Sequence, residues 1–252
     1  MRQILFADDI REKHQDLVGA KAYKLAYLKQ QDIFTANFFV VPNAISNRVL
    51  EKGISIDIQK NILLGLKDML SDRLAIRSSA TCEDGHNSSF AGQFDSYLNI
   101  SKKEAISAIE NCFKALQNEH VSLYCDFHKI DPSEIKMAVM VQDMIQAEKG
   151  GVLFGQNPIG SNHDEVVIEA AEGLGEQVVS GSDFSQKLVY SLAKKKILSE
   201  KSETKTSVLS NREVDKLILE SQKIQKVLGS PQDIEWAIQD DKIYILQSRP
   251  IT

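Results

Sequence analysis

The final segment of the chain, QDIEWAIQDDKIYILQSRPIT, reads as two strands joined by a tight turn, and it constrains the fold more than any other stretch. Ile234, Trp236 and Ile238 alternate with polar residues, so they share one side of the first strand. Asp233 and Glu235 share the opposite side. A hairpin with one apolar side requires an antiparallel sheet that packs on a core.

The polar side of this hairpin predicts a site only under one geometric condition. Gln247 and Arg249 lie two apart on the return strand. A two-residue turn at 240–241 in a regular ladder would place Gln247 on the face opposite Glu235, whereas an odd-length turn or a bulge would align them. Aligned, the acids, the amide and the arginine make a surface for a divalent metal and a polyphosphate. The alternative is an ordinary solvated hairpin face.

The rest of the chain predicts an α+β fold. Ser101 with Glu104 and Ser210 with Glu213 have the spacing of capping boxes, which predicts one helix running to about residue 128 and another ending at Gly229. A helix opened by Gly19 is predicted in the segment 15–31. Another is predicted over 57–70, with apolar positions 58, 62, 63, 66, 69 and 70. Short apolar segments predict strands: NFFVVP, RLAIRSS, FDSYLNI, KMAVMVQDMI, GVLFGQNP, EVVIEAA and the paired KLVYSLAKKKILSEK.

Composition excludes several classes of protein. The 252 residues are 42% hydrophobic and carry a net charge of −5, with Lys and Arg scattered along the chain. This argues against a nucleic-acid groove and against a polybasic membrane surface. The amino terminus has no secretory pattern, and no apolar run is long enough to span a membrane. Three unevenly spaced cysteines favour a cytoplasmic protein with reduced thiols.

Arg77 stands at the end of an apolar strand and before a loop rich in hydroxyls and glycine. An arginine in this position can donate two N–H groups to phosphate oxygens, and backbone N–H groups of such a loop can bind an anion. The alternative is a surface arginine paired with Glu83 or Asp84. Neither the P-loop pattern nor the dinucleotide glycine pattern occurs, so neither common nucleotide fold is indicated.

Lys21 follows Gly19 in the predicted first turn of a helix. A lysine there could lie over phosphates bound at the helix N-terminus. The alternative is a solvated helix lysine. The five histidines show no metal-ligand spacing.

Several ordered segments together resemble the amino-terminal ATP-binding domain of phosphoenolpyruvate synthase, pyruvate phosphate dikinase and rifampicin phosphotransferase. They run through nearly the whole chain: GAKAYKLAYL, AIRSSATCEDGHNSSFAGQFDSYLNI, VQDMI, GGVLFGQNPI, VVIEAAEGLGEQVVSG and DIEWAIQDDKIYILQSRPI. The resemblance implies a single ATP-binding module over residues 1–252 with an ATP-grasp-like fold. Its two lobes, roughly 1–144 and 145–252, would enclose a cleft for ATP and Mg²⁺.

The resemblance also implies an activity. Members transfer the β-phosphoryl group of ATP to a histidine on a separate swivelling domain and release AMP and phosphate. The phosphohistidine then serves pyruvate or another small acceptor. No such histidine domain follows the segment QSRPIT, so the resemblance implies a partner domain in cis, if the chain is a fragment, or in trans. The alternatives are a nucleotide-binding regulatory module without turnover and the ATP domain of an amide or antibiotic kinase.

The resemblance assigns phosphate-binding roles to three basic residues: Lys21 on the triphosphate, and Arg77 and Arg249 as clamps on phosphate oxygens. These are the implied catalytic residues. Gly92 matches the glycine of a lid loop over the phosphates, and Ser96 matches a small hydroxyl residue that binds ATP.

The remaining assignments concern the base and the metal. Gln142 matches the glutamine near the nucleotide, while Glu235 and Gln247 match ligands of both the metal and ATP. Asp233 is a further candidate for the metal. The chain departs from the family in two places. The family pattern GGKG reads Gly-Ala-Lys-Ala at 19–22, and the stretch between Lys21 and Arg77 is shorter than in typical members.

Overall fold

The computed structural model describes residues 3–81, 94, 96–131, 135–159, 162–175, 178, 186–203 and 207–251. The chain divides into two compact units. The first comprises Met1–Gln30 and Ala36–Met144, and the second comprises Gln31–Thr35 and Ile145–Thr252. Within the described ranges, no helix combines the length and the apolar character that crossing a membrane requires.

The first unit is built on a five-stranded antiparallel sheet in the order β1-β2-β5-β3-β4. Its strands are β1 (Leu5–Phe6), β2 (Phe38–Val41), β3 (Arg73–Ala80), β4 (Ser96–Ser101) and β5 (Met137–Asp143). Every residue of the central β5 is buried, as its Val- and Met-rich sequence predicts. The helices are α1 (Gln15–Gln30), α2 (Ser46–Lys52), α3 (Ile56–Lys67), α4 (Ala105–Lys114) and α5 (Glu119–His128). Short 3₁₀ turns cover Ala7–Asp9, Glu12–His14, Asn43–Ile45 and Ala115–Gln117.

Buried side chains of the first unit lie on both faces of this sheet, and one hydrophobic cluster, on the face of Ile76, includes residues of α3 and α4. Ile62 of α3 and Phe113 of α4 are fully buried there, together with Ile76 of β3. The helix predicted over 57–70 is shorter than expected, since α3 ends at Lys67. Leu70 consequently lies beyond the helix and is 88% exposed, although its spacing predicted a core position.

The predicted single helix up to residue 128 is wrong. Ser101 N and Oγ both donate to a carboxylate oxygen of Glu104, but that contact precedes α4 and does not cap it. Asn118 has an extended backbone (φ −68°, ψ 142°), which interrupts the hydrogen-bond ladder between α4 and α5. A periodic apolar pattern continues through such a break, so periodicity did not reveal it.

The second unit contains a six-stranded antiparallel sheet in the order β11-β10-β6-β7-β8-β9. Its strands are β6 (Lys149–Phe154), β7 (Glu165–Glu172), β8 (Gln186–Ser191), β9 (Lys196–Ser202), β10 (Gln232–Gln239) and β11 (Lys242–Pro250). The helix α6 (Asn211–Leu228) contacts β10 and ends at Gly229, whose φ of 80° is the expected left-handed cap. Ile234, Trp236 and Ile238 are buried, as predicted.

The capping box that opens α6 is confirmed. Ser210 Oγ accepts a hydrogen bond from Glu213 N (3.3 Å), and Glu213 Oε2 accepts one from Ser210 N (2.7 Å). Lys149 Nζ from β6 also donates to Glu213 Oε1 (2.7 Å), which ties the helix to the sheet. Burial opposes ionisation of Glu213, but the hydrogen bonds from Lys149 and Ser210 outweigh it and lower the pKa of the carboxyl.

Glu213→Ala is expected to lower the free energy of unfolding by about 2 kcal/mol at pH 7, because it removes a cap and a half-buried ion pair. A lowered folded pKa means that the stabilisation is present above the unfolded value of 4.5 and is lost as pH falls through the folded pKa. Urea unfolding at pH 7 and in acid measures the loss of free energy of unfolding at each pH. The control Glu220→Ala removes only an i,i+3 pair with Lys223 (2.6 Å); an equal loss in both variants would contradict the assigned role.

Candidate functional site

In the first unit, a break in α1 fixes Lys21 beside the sheet. Gly19 has φ 78° and ψ 167°, a conformation that is essentially restricted to glycine. A Cβ atom on Gly19 would lie 2.1 Å from the carbonyl oxygen of Ser79, so the chain passes directly over β3. Ala22 N donates to Ser79 Oγ (3.1 Å), which anchors the first helical turn after the break. That turn contains Lys21, as the sequence predicts.

Arg77 lies on the face of β3 that α1 covers, because it is two residues from Ser79. Ser96 of β4 is its direct cross-strand neighbour on one side, and Met140 of β5 is its neighbour on the other. Gln142 is two residues beyond Met140 and therefore shares this face. The sheet thus brings Arg77, Ser96 and Gln142 to the same face as the turn of Lys21. Gly92 lies outside the described residues.

Gln142 has an unsatisfied amide nitrogen. The residue is 1% exposed, and within the part of the chain that the structure describes its Nε2 has no hydrogen-bond partner. A buried donor left without an acceptor costs about 1–3 kcal/mol. An acceptor atom on a bound ligand would remove this cost, which is compatible with the role near the nucleotide that the resemblance implies for Gln142.

In the second unit, the terminal hairpin fulfils the geometric condition for a site. The turn at Asp240–Asp241 has two residues, both with positive φ (51° and 60°). A bulge after Glu235 shifts the register, so Glu235 is opposite Gln247 while Trp236 is opposite Ile245. Of the two geometries that would align Glu235 with Gln247, the structure has the bulge.

Arg249 is held by Asp233, its direct neighbour across the hairpin. Its Nε and Nη2 atoms donate to Asp233 Oδ2 at 2.7 and 2.6 Å. Burial raises the pKa of the Asp233 carboxyl; Arg249 opposes the shift, and the charges of Glu235 and Glu169 add to it. Asp233 therefore orients the guanidinium group of Arg249, and its role as a further metal ligand stays a prediction.

A metal at this hairpin would depend on few protein ligands. Among the described residues, no group of three or more His, Cys, Asp and Glu side chains is arranged to hold an ion. Glu235 and Gln247 supply one carboxylate and one amide oxygen on adjacent strands. Mg²⁺ is usually bound by one or two carboxylates together with water and substrate phosphates. The donor set therefore fits Mg²⁺ that arrives with a polyphosphate.

Sequence reasoning missed an ion pair on the same face as Glu235. Lys187 Nζ of β8 lies 2.6 Å from Glu169 Oε1 of β7. Glu169 is opposite Val152, and Val152 is opposite Glu235. The alternation in EVVIEAA indicates that Glu169 shares a side with its i±2 neighbours, but it does not give the strand order that places it near Glu235.

Comparison with known proteins identifies the family of the chain. The family model of the pyruvate phosphate dikinase AMP/ATP-binding domain matches residues 43–209 and 183–252. A probable phosphoenolpyruvate synthase of Methanocaldococcus jannaschii is 40% identical over 203 residues, which cover 71% of this chain and 17% of that protein. The rifampicin phosphotransferase of Bacillus cereus is 33% identical over 235 residues, covering 82% of this chain and 27% of that protein.

The chain thus spans less than a third of the length of these relatives. Among solved structures, an L-amino acid ligase from Bacillus licheniformis aligns with a TM-score of 0.50 and 10% identity, over 94% of this chain and 43% of that one. At this identity the likeness concerns the fold alone, and it confirms the predicted α+β, ATP-grasp-like architecture. The chain belongs to the family of the pyruvate phosphate dikinase AMP/ATP-binding domain, which includes the ATP-binding domains of phosphoenolpyruvate synthases and rifampicin phosphotransferases.

Proposed function

We propose that this ATP-binding domain binds ATP with Mg²⁺ and transfers the β-phosphoryl group to a histidine on a separate swivelling domain, releasing AMP, while the γ-phosphoryl group passes to water and leaves as phosphate. The observation that carries the proposal is the bulge that aligns Glu235 with Gln247 on the hairpin that also holds Arg249. The proposed nucleotide ligands are Lys21, Arg77, Gly92, Ser96, Gln142, Glu235, Gln247 and Arg249.

The proposed chemistry depends mainly on charge. Phosphoryl transfer needs cations and hydrogen-bond donors around the charge that develops, and an acceptor in line with the leaving group. Lys21, Arg77 and Arg249 supply fixed positive charge and N–H donors. Mg²⁺, bound through Glu235 and Gln247, would neutralise phosphate oxygens. The acceptor histidine would come from the swivelling domain, in cis or in trans.

Two features support a transfer function over regulatory binding alone. The hairpin carries both the proposed metal ligands and Arg249, and Asp233 binds the guanidinium group of Arg249. The curated relatives are named as a synthase and a phosphotransferase. We further propose that the phosphohistidine serves pyruvate or another small acceptor; the relatives are named a phosphoenolpyruvate synthase and a rifampicin phosphotransferase.

The test mixes the chain with a separately produced phosphohistidine domain of a relative and with ATP radiolabelled in either the β- or the γ-phosphoryl group. The expected result is acid-labile label on the histidine domain from β-labelled ATP only, with stoichiometric AMP. Label from the γ-position would contradict the transfer scheme. Calorimetric binding of ATP with no AMP and no label would instead support the regulatory module.

A further inference from the structure

A polar row crosses the sheet of the second unit on the face that carries Glu235. Residues directly opposite each other on neighbouring strands project to the same face. Followed from strand to strand, the row consists of Gln247, Glu235, Val152, Glu169, Lys187 and Lys201. The proposed function uses only the first two of these residues.

The Glu169–Lys187 ion pair places a positive charge on the face of the sheet that carries Glu235. The side chains of Glu169 and Lys187 are only 18% and 31% exposed, and Nζ lies 2.6 Å from Oε1. This contact directs the ammonium group back over β7, two strands from β10. At a spacing of about 4.8 Å per strand, β7 and β10 are separated by roughly 10 Å, which is within reach of two long side chains.

Two positively charged residues are cross-strand neighbours at the β8–β9 end of the row. Lys187 and Lys201 are directly opposite each other on β8 and β9. Like charges directly opposite each other destabilise a sheet, and here the Glu169 carboxylate offsets the charge of Lys187. At the other end Arg249 is bound to Asp233 in the same manner as Lys187 is bound to Glu169, with a shortest distance of 2.6 Å in each pair. Glu235 therefore lies between two cations that are each held by an acid.

We propose that Lys187 binds a phosphate group, with Lys201 adding positive charge, and that Glu169 is the partner of Lys187 when no phosphate is bound. The ligand class is a phosphate group, either of the nucleotide or as the free ion. The proposal rests on the proposed function, since it extends the same site along the sheet. A phosphate and the Glu169 carboxylate would compete for one ammonium group.

Two variants that break the same ion pair provide the test. Lys187→Gln should weaken binding of tripolyphosphate and ATP about 10-fold, because it removes a charged hydrogen bond. Glu169→Gln should strengthen binding about 3-fold, because it removes a competing negative charge next to the anion. Both variants should bind adenosine as the wild type does. Calorimetry with ATP, tripolyphosphate, inorganic phosphate and adenosine measures these effects and separates nucleotide phosphate from the free ion.

The matched control is Lys196→Gln, an exposed lysine at the opposite end of β9, which should leave all affinities unchanged. A purely structural ion pair predicts changes of the same sign in Lys187→Gln and Glu169→Gln, and that result would overturn the inference. So would an unchanged affinity in Lys187→Gln. In either case, binding of ATP by the wild type would leave the proposed function intact, whereas its failure to bind ATP would reject that function separately.

Discussion

Gly19→Ala is expected to lower the free energy of unfolding by about 4 kcal/mol and to abolish ATP binding. Part of the loss is the backbone conformation of Gly19, which costs other residues about 1–3 kcal/mol. The rest is the clash of the new Cβ with the carbonyl oxygen of Ser79, 2.1 Å away on a strand that cannot move freely. Relief of the clash must displace the turn that contains Lys21. Urea unfolding and ATP calorimetry measure the two effects.

Gly53→Ala is the matched control for this substitution. Gly53 has nearly the same backbone conformation as Gly19 (φ 71°, ψ −178°). Its Cβ would meet only the carboxylate end of Glu110, at 3.0 Å, and that side chain can move. We therefore expect a loss of about 1–3 kcal/mol from backbone strain, with unchanged ATP binding. Equal losses in the two variants would show that the contact with Ser79 contributes nothing.

Glu235→Gln is expected to reduce phosphoryl transfer about 100-fold and to raise the Mg²⁺ concentration needed for half-maximal rate. The substitution keeps the size of the side chain and its place opposite Gln247 but removes the negative charge. Gln cannot replace a carboxylate as a ligand of Mg²⁺ without loss of affinity. The rate of AMP formation, with the histidine domain in excess and Mg²⁺ varied, measures both quantities.

Glu172→Gln is the control for charge in the same sheet. Glu172 is exposed and lies three residues after Glu169 on β7, so it faces the opposite side. We expect wild-type rates and wild-type Mg²⁺ dependence. An unchanged Mg²⁺ dependence in Glu235→Gln, or an equal loss of rate in Glu172→Gln, would remove Glu235 from the proposed metal site.

The features that the sequence predicted well are local. The strand alternation around Trp236, the capping box at Ser210 and the glycine before Lys21 depend on neighbouring residues, and all are found. Counting also showed that Glu235 and Gln247 align only if the hairpin has an odd-length turn or a bulge, because side chains alternate with a period of two. The position of the bulge after Glu235 depends on packing and required the structure.

The features that the sequence could not give depend on contacts between distant segments. The close approach of Gly19 to Ser79 joins residues 60 positions apart, and no pattern in either segment indicates it. The register that pairs Glu235 with Gln247 also pairs Asp233 with Arg249, but the sequence does not show that the two side chains form an ion pair at 2.6 Å. The row that links Glu169 to Glu235 requires the order of the strands, which here brings β10 beside β6.

The bulge in the terminal hairpin also restricts how this segment can change in length. Adding or deleting one residue between Glu235 and Gln247 would turn the side chains of Gln247 and Arg249 to the opposite face of the sheet. A change of two residues would preserve the side and shift only the pairing. Natural variants of this hairpin should therefore differ in length by even numbers, and a solitary inserted residue should be accompanied by loss of the bulge.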